Sequence, residues 1–133
     1  MGNKKVLIID DDAKIRRVLD LRLKKAGYQV FVAANGEAGL NLFRAEQPDI
    51  IITDILMPGK EGLETIMELR RDSPEVKIIA MSGGGRVGAE EYLDLAKKFG
   101  AQYAFTKPFT GKEVLLAVRK LLDNSPGVKN TFG

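Results

Sequence analysis

The chain is predicted to be a single α/β domain: a five-stranded parallel sheet, doubly wound as (βα)5. Three observations predict it. Short runs rich in Val and Ile are apolar throughout, segments of helical period separate them, and two of the runs end in aspartate. A strand buried on both faces reads as a continuous apolar run, and parallel neighbours need a right-handed crossover that covers a face of the sheet. Five alternations therefore place helices on both sides.

The first run, Val6-Leu7-Ile8-Ile9, ends in Asp10-Asp11-Asp12. Ile15, Val18, Leu19, Leu23 and Ala26 then recur at helical spacing as an inward face, and Gly27 after Lys24-Lys25 is the stop. Tyr28 to Ala34 is the second strand, Asn35-Gly36 a turn, and Glu37 to Glu46 a helix closed before Pro48. The third strand, Asp49 to Asp54, again ends in an acid. Met57-Pro58-Gly59 is a loop, Glu61 to Arg71 the third helix, and Lys77 to Met81 the fourth strand. A loop, Ser82-Gly83-Gly84-Gly85, leads to a fourth helix from Ala89 to Phe99 with Tyr92, Leu93, Ala96 and Phe99 inward and Gly100 as its cap. The fifth strand is Gln102 to Phe105. A last helix from about Thr110 to Leu122 carries Val114, Ala117, Val118 and Leu121 on one face. The domain is expected over residues 1–122, with 123–133 a flexible tail.

Composition narrows the chemistry. At 133 residues and 44% hydrophobic content, one core is expected. Cysteine and histidine are both absent, which excludes disulfides, thiolate metal sites, a cysteine nucleophile and the commonest general base. No apolar run approaches the ~20 residues needed to cross a bilayer, and the run after the basic start is too short for a signal peptide, so a cytoplasmic location is expected. The net charge is +3, but its basic residues are spread mostly over helix positions expected to face solvent, which argues against direct nucleic-acid binding.

Ligands of such sheets bind beyond the carboxyl ends of the strands. There the chain places Asp10, Asp11, Asp54 and Ser82, with Lys107 after the fifth strand. Two ionised carboxylates about 4 Å apart repel by about 4 kcal/mol at an effective dielectric near 20. Lys107 supplies one counter-charge; a hard, oxygen-seeking cation supplies the rest, and without nitrogen or sulfur ligands Mg2+ is preferred to zinc. Asp12 is better explained as a helix N-cap. Met57 and Met67 read as packing, Pro58 as a rigid turn, and Gly84-Gly85 as loop rather than phosphate cradle, because no GxGxxG or Walker pattern surrounds it.

Taken in order, Val6 to Asp12, Asp54-Ile55-Leu56-Met57-Pro58 with Gly62 beyond, Ser82-Gly83, and Lys107-Pro108-Phe109 closely resemble the response-regulator receiver family over about residues 4–122. The resemblance implies the flavodoxin-like strand order 2-1-3-4-5. It implies Asp54 as phosphoacceptor, and Asp10, Asp11, Asp54 and the backbone carbonyl of Leu56 as Mg2+ ligands. Ser82 would hydrogen-bond the phosphoryl group and Lys107 would pair with its oxygens. It further implies a phosphohistidine donor on a sensor histidine kinase or histidine phosphotransfer protein, a downstream protein partner not identified by the sequence, and, as one option, a homodimer through the fourth helix, fifth strand and fifth helix. The Lys107–Pro108 bond is expected to be cis. Family members commonly carry an aromatic residue three before the lysine, where this chain has Ala104; Tyr103 and Phe105 should face the other way. Leu56 and Gly84 lack the polar side chains that would orient an attacking water, so slow autodephosphorylation is expected.

Three other readings are weaker. A phosphatase resembling the haloacid dehalogenase type would need a DxDx[TV] strand end and a cap. A flavodoxin-like flavin or nucleotide binder would need Ser, Thr and Gly where three aspartates stand. A degenerate receiver serving only as an interaction module would not need the intact acidic pocket.

Overall fold

The computed structural model describes residues 3–55, 62–82, 94, 96–98, 100–107 and 109–123. Its strands are β1 (Lys5–Ile9), β2 (Gln29–Ala33), β3 (Ile50–Asp54), β4 (Lys77–Ser82) and β5 (Tyr103–Thr106), and its helices α1 (Ala13–Lys25), α2 (Gly36–Glu46), α3 (Gly62–Asp72) and a C-terminal helix (Gly111–Asp123). The sheet is parallel in the order β2-β1-β3-β4-β5, as the sequence reading expected.

Burial sorts the strands. From Val6 to Ile9 and from Ile50 to Ile52 every side chain is fully buried, because β1 and β3 lie inside the sheet with helices on both faces. Alternation then divides the core. Leu7, Ile9, Ile51, Ile78 and Ala80 pack with Leu40 and Phe43 of α2, Ile66 and Leu69 of α3, and Ala96. Val6, Ile8, Ile50, Ile52, Ile79 and Met81 pack with Leu19 and Leu23 of α1 and Val114, Ala117, Val118 and Leu122 of the C-terminal helix. Ala104 sits with the first group, while Tyr103 and Phe105 stack on the second side, as alternation requires.

Local chemistry sets the helix ends. Asp12 caps α1, its carboxylate accepting from Lys14 N–H at 2.9 Å, and Gly27 follows the end of α1 with φ 101°. Asn35 caps α2 by accepting from Ala38 N–H at 2.8 Å. Thr110 and Glu113 exchange reciprocal bonds of 3.0 Å and start the C-terminal helix.

Two expectations about α1 are corrected. Val18 is 53% exposed, because the buried stripe narrows to Leu19 and Leu23, one helical turn apart, and Val18 lies about 100° around the helix from Leu19. Ala26 is the half-buried C-cap, beyond the helix. Among the basic residues assigned to solvent faces, Arg16 and Arg70 are half-buried, their guanidinium groups turned back onto main-chain carbonyls. At the end of the last helix Leu122 is the buried leucine, and Leu121 only half-buried.

Of the predicted fourth helix, Asp94 and residues 96–98 are helical and Gly100 has φ 117°; its remaining residues lie outside the described ones. So do Leu56, Met57, Pro58, Gly83, Gly84, Gly85, Pro108 with its expected cis bond, and residues 124–133 of the expected tail. No helix among the described residues is long and apolar enough to cross a membrane.

Candidate metal and phosphoryl site

Parallel pairing brings the strand ends into one place. Ile9 is in register with Thr53, and Asp54 with Met81, so Asp10, Asp54 and Ser82 emerge on the same edge of the sheet. Lys107 follows β5, and its N–H donates to the Ser82 carbonyl at 2.7 Å. Its ammonium then reaches two carboxylates, at 3.0 Å from Asp10 Oδ2 and 3.1 Å from Asp54 Oδ2. Asp10 is fully buried and Asp54 nearly so, while Asp11 is exposed. One carboxylate oxygen from each of Asp10, Asp11 and Asp54 lies within 4.8 Å of the others, a spacing that suits a shared hard cation.

Burial raises the Asp10 pKa above its ordinary value, against hydrogen bonds from Asp12 N–H and Lys107; the neighbouring Asp54 charge also raises it. Burial pulls Lys107 the other way, but hydrogen bonds and attraction from Asp10 and Asp54 outweigh it and hold the ammonium above its usual range. The two directions are compatible. A wholly buried carboxylate loses more solvation than one ammonium returns when that ammonium is shared between two acids.

The Ser82 hydroxyl is buried and has no hydrogen-bond partner among the described residues. Natural structures rarely leave such a group unpaired. Sequence reasoning missed two supports. Thr53 Oγ1 donates to the Asp54 carbonyl at 3.1 Å, and Arg16 Nη1 donates to the Asp10 carbonyl at 2.7 Å. Thr53 showed only as a polar residue inside an apolar strand, and Arg16 only as one charge among many on α1. Leu56 stands outside the described residues, so its expected carbonyl contribution has no geometry here.

Comparison with known proteins gives one family. The sequence profile described as response regulator receiver domain matches residues 6–119. The chain is 43% identical over 119 residues to "Probable transcriptional regulator ycf27" of Guillardia theta, covering 90% of this chain and 45% of that protein. It spans about half the length of this and similar curated relatives. It is 35% identical over 122 residues to "Sporulation initiation phosphotransferase F" of Bacillus subtilis, covering 92% of this chain and 96% of that one. A receiver domain protein described as CheY-like from Methanospirillum hungatei superposes with a TM-score of 0.83 at 27% identity, covering 92% of this chain and 96% of that one. With the parallel order 2-1-3-4-5 and acids and lysine gathered at its strand ends, the chain belongs to the response regulator receiver domain family of two-component systems.

Proposed function

We propose that this chain is a phosphoacceptor: Asp54 takes a phosphoryl group from a phosphohistidine on a sensor histidine kinase or histidine phosphotransfer protein, in a reaction that needs Mg2+. The observation that carries it is Lys107 bridging Asp10 and Asp54 at 3.0 and 3.1 Å, beside a buried Ser82 hydroxyl that has no hydrogen-bond partner among the described residues. Asp10, Asp11 and Asp54, with the backbone carbonyl of Leu56, would hold the ion. When bound, Mg2+ supplies positive charge to the transferring oxygens. An Asp54 carboxylate oxygen forms the new bond to phosphorus as the bond from phosphorus to the donor's imidazole nitrogen breaks. Lys107 offers its ammonium to the phosphoryl oxygens, and Ser82 gives them its hydroxyl proton in a hydrogen bond. Water later attacks phosphorus as the bond to the Asp54 oxygen breaks, releasing inorganic phosphate and the Asp54 carboxylate, and does so slowly because Leu56 and Gly84 offer no polar side chain to orient it.

The unit proposed to act is the receiver domain through the C-terminal helix, which ends at Asp123, in the cytoplasm, with the residues beyond it as a tail. It acts by switching a surface for a downstream protein or a second copy, formed by the fourth helix, β5 and the C-terminal helix, rather than by turning over a substrate of its own. Ala104 in place of an aromatic points to a backbone shift rather than ring movement as the readout. The test is intact mass after incubation with acetyl phosphate and Mg2+. One phosphoryl group should add to the wild type and none to Asp54→Asn, to Asp11→Ala or to chelated protein; equal labelling of wild type and Asp54→Asn would reject the assignment.

A further inference from the structure

Asp11 is the exposed member of the acidic cluster, yet the main chain on both sides of it is held. β1 leaves the ladder at Ile9, so Asp10 enters the turn with a buried backbone that must find other partners. Its N–H donates to the Ala33 carbonyl at 3.1 Å. Its carboxylate accepts from Asp12 N–H at 2.8 Å through Oδ1 and from Lys107 through Oδ2. The Asp10 carbonyl is taken by Arg16 Nη1 at 2.7 Å.

Two of these bonds fall on the peptide planes flanking Asp11. The Asp10 carbonyl belongs to the plane before it, and the Asp12 N–H to the plane after it. With both planes fixed, the two soft backbone dihedrals of Asp11 are fixed too. Arg16 is itself steady: its own N–H donates to the Asp12 carbonyl at 3.1 Å in the first turn of α1.

We propose that Arg16 is a positioning residue for divalent-cation binding, acting by clamping the Asp10 carbonyl and so aiming the Asp11 carboxylate. This rests on the Mg2+ reading of the cluster. The clamp acts through geometry and not through charge. A guanidinium kept beside a cation site for its charge would repel the ion, so its removal would tighten binding; removal of a clamp loosens it. Loss of an outer support of this kind typically weakens metal affinity by about 10- to 100-fold.

The experiment is calorimetric titration of the chelator-treated, dialysed full chain with MgCl2. Wild type, Arg16→Gln, Arg16→Lys and Arg17→Gln are compared, with amide exchange at Asp11 and Asp12 followed without metal. Arg17 is an exposed neighbour, so Arg17→Gln removes the same charge without touching the clamp. Arg16→Gln should bind Mg2+ about tenfold more weakly, with faster exchange at Asp12. Arg16→Lys, which keeps a donor, should recover part of the affinity, and Arg17→Gln should match wild type. In acetyl phosphate labelling, the Arg16→Gln defect should lie in the Mg2+ concentration for half-maximal rate, with the maximal rate retained. Should Arg16→Gln fail to fold, the comparison of Arg16→Lys with Arg17→Gln carries the test. For Arg16→Gln a weakening below about threefold, or tighter binding, overturns the inference alone; where Arg16→Lys decides, affinity and Asp12 exchange equal to those of Arg17→Gln overturn it. A wild type that takes up no Mg2+ overturns it together with the metal reading.

Discussion

Replacing Asp11 by Asn should make the metal-free protein more stable. The Asp11 ligand oxygen lies within 4.8 Å of one from Asp10 and one from Asp54. Two unit charges that far apart repel by about 0.9 kcal/mol at the dielectric of water and by about 3.5 kcal/mol at an effective value of 20. Asp11 is exposed, which favours the smaller figure, and Lys107 already answers part of the charge on the other two acids. Two such repulsions leave a net gain of about 1–2 kcal/mol for Asp11→Asn. The assay is urea unfolding in chelator at low salt, where the variant midpoint should be higher and the gap should shrink as salt is added. Mg2+ should reverse the order. At a hundredfold excess over its Kd, a ligand specific for the folded state adds about 2.7 kcal/mol, which the wild type should gain and the variant largely lack. A variant equal to or less stable than wild type in chelator, with the same response to Mg2+, would refute the reasoning.

Three further outcomes are expected. Gly39→Ala places a methyl group 2.7 Å from Ile9 Cγ1 in the fully buried core; overpacking of about 1–3 kcal/mol against a helix-propensity gain of about 1 kcal/mol should lower stability by about 1 kcal/mol in urea unfolding. Arg70→Met removes guanidinium bonds to the carbonyls of Pro74, Val76 and Gly100 at 2.6–2.7 Å and should cost about 2–4 kcal/mol by the same measurement, while Arg71→Met, at an exposed neighbour, changes little. Lys107 is held above its ordinary 10.5, so its stabilising contribution is whole below that pH and is lost as pH rises through the higher folded value. The chelated wild type should therefore lose urea midpoint faster above about pH 10.5 than Lys107→Met does, and parallel pH profiles would contradict the pairing.

Much was legible in the amino-acid order because it depends on local chemistry or on burial that covers whole strands. Val6 to Ile9 and Ile50 to Ile52 are apolar at every position, and only strands covered on both faces have that need. The alternation that sends Ala104 to one side and Tyr103 and Phe105 to the other follows from strand geometry alone. Asp12 as an N-cap and Gly27 as a stop are decided within a few residues. Tertiary structure decided what depends on neighbours distant in the chain. Which side of α1 is buried, leaving Val18 in solvent, depends on where the sheet and the C-terminal helix meet it. That Lys107 pairs with Asp10 and Asp54 at once, 97 and 53 residues away, follows from the strand order and register. Arg16 and Arg70 read as solvated charges on their helices; only folding brings unpaired main-chain carbonyls within reach of their guanidinium groups, and a buried carbonyl without a donor is a cost that periodicity does not register.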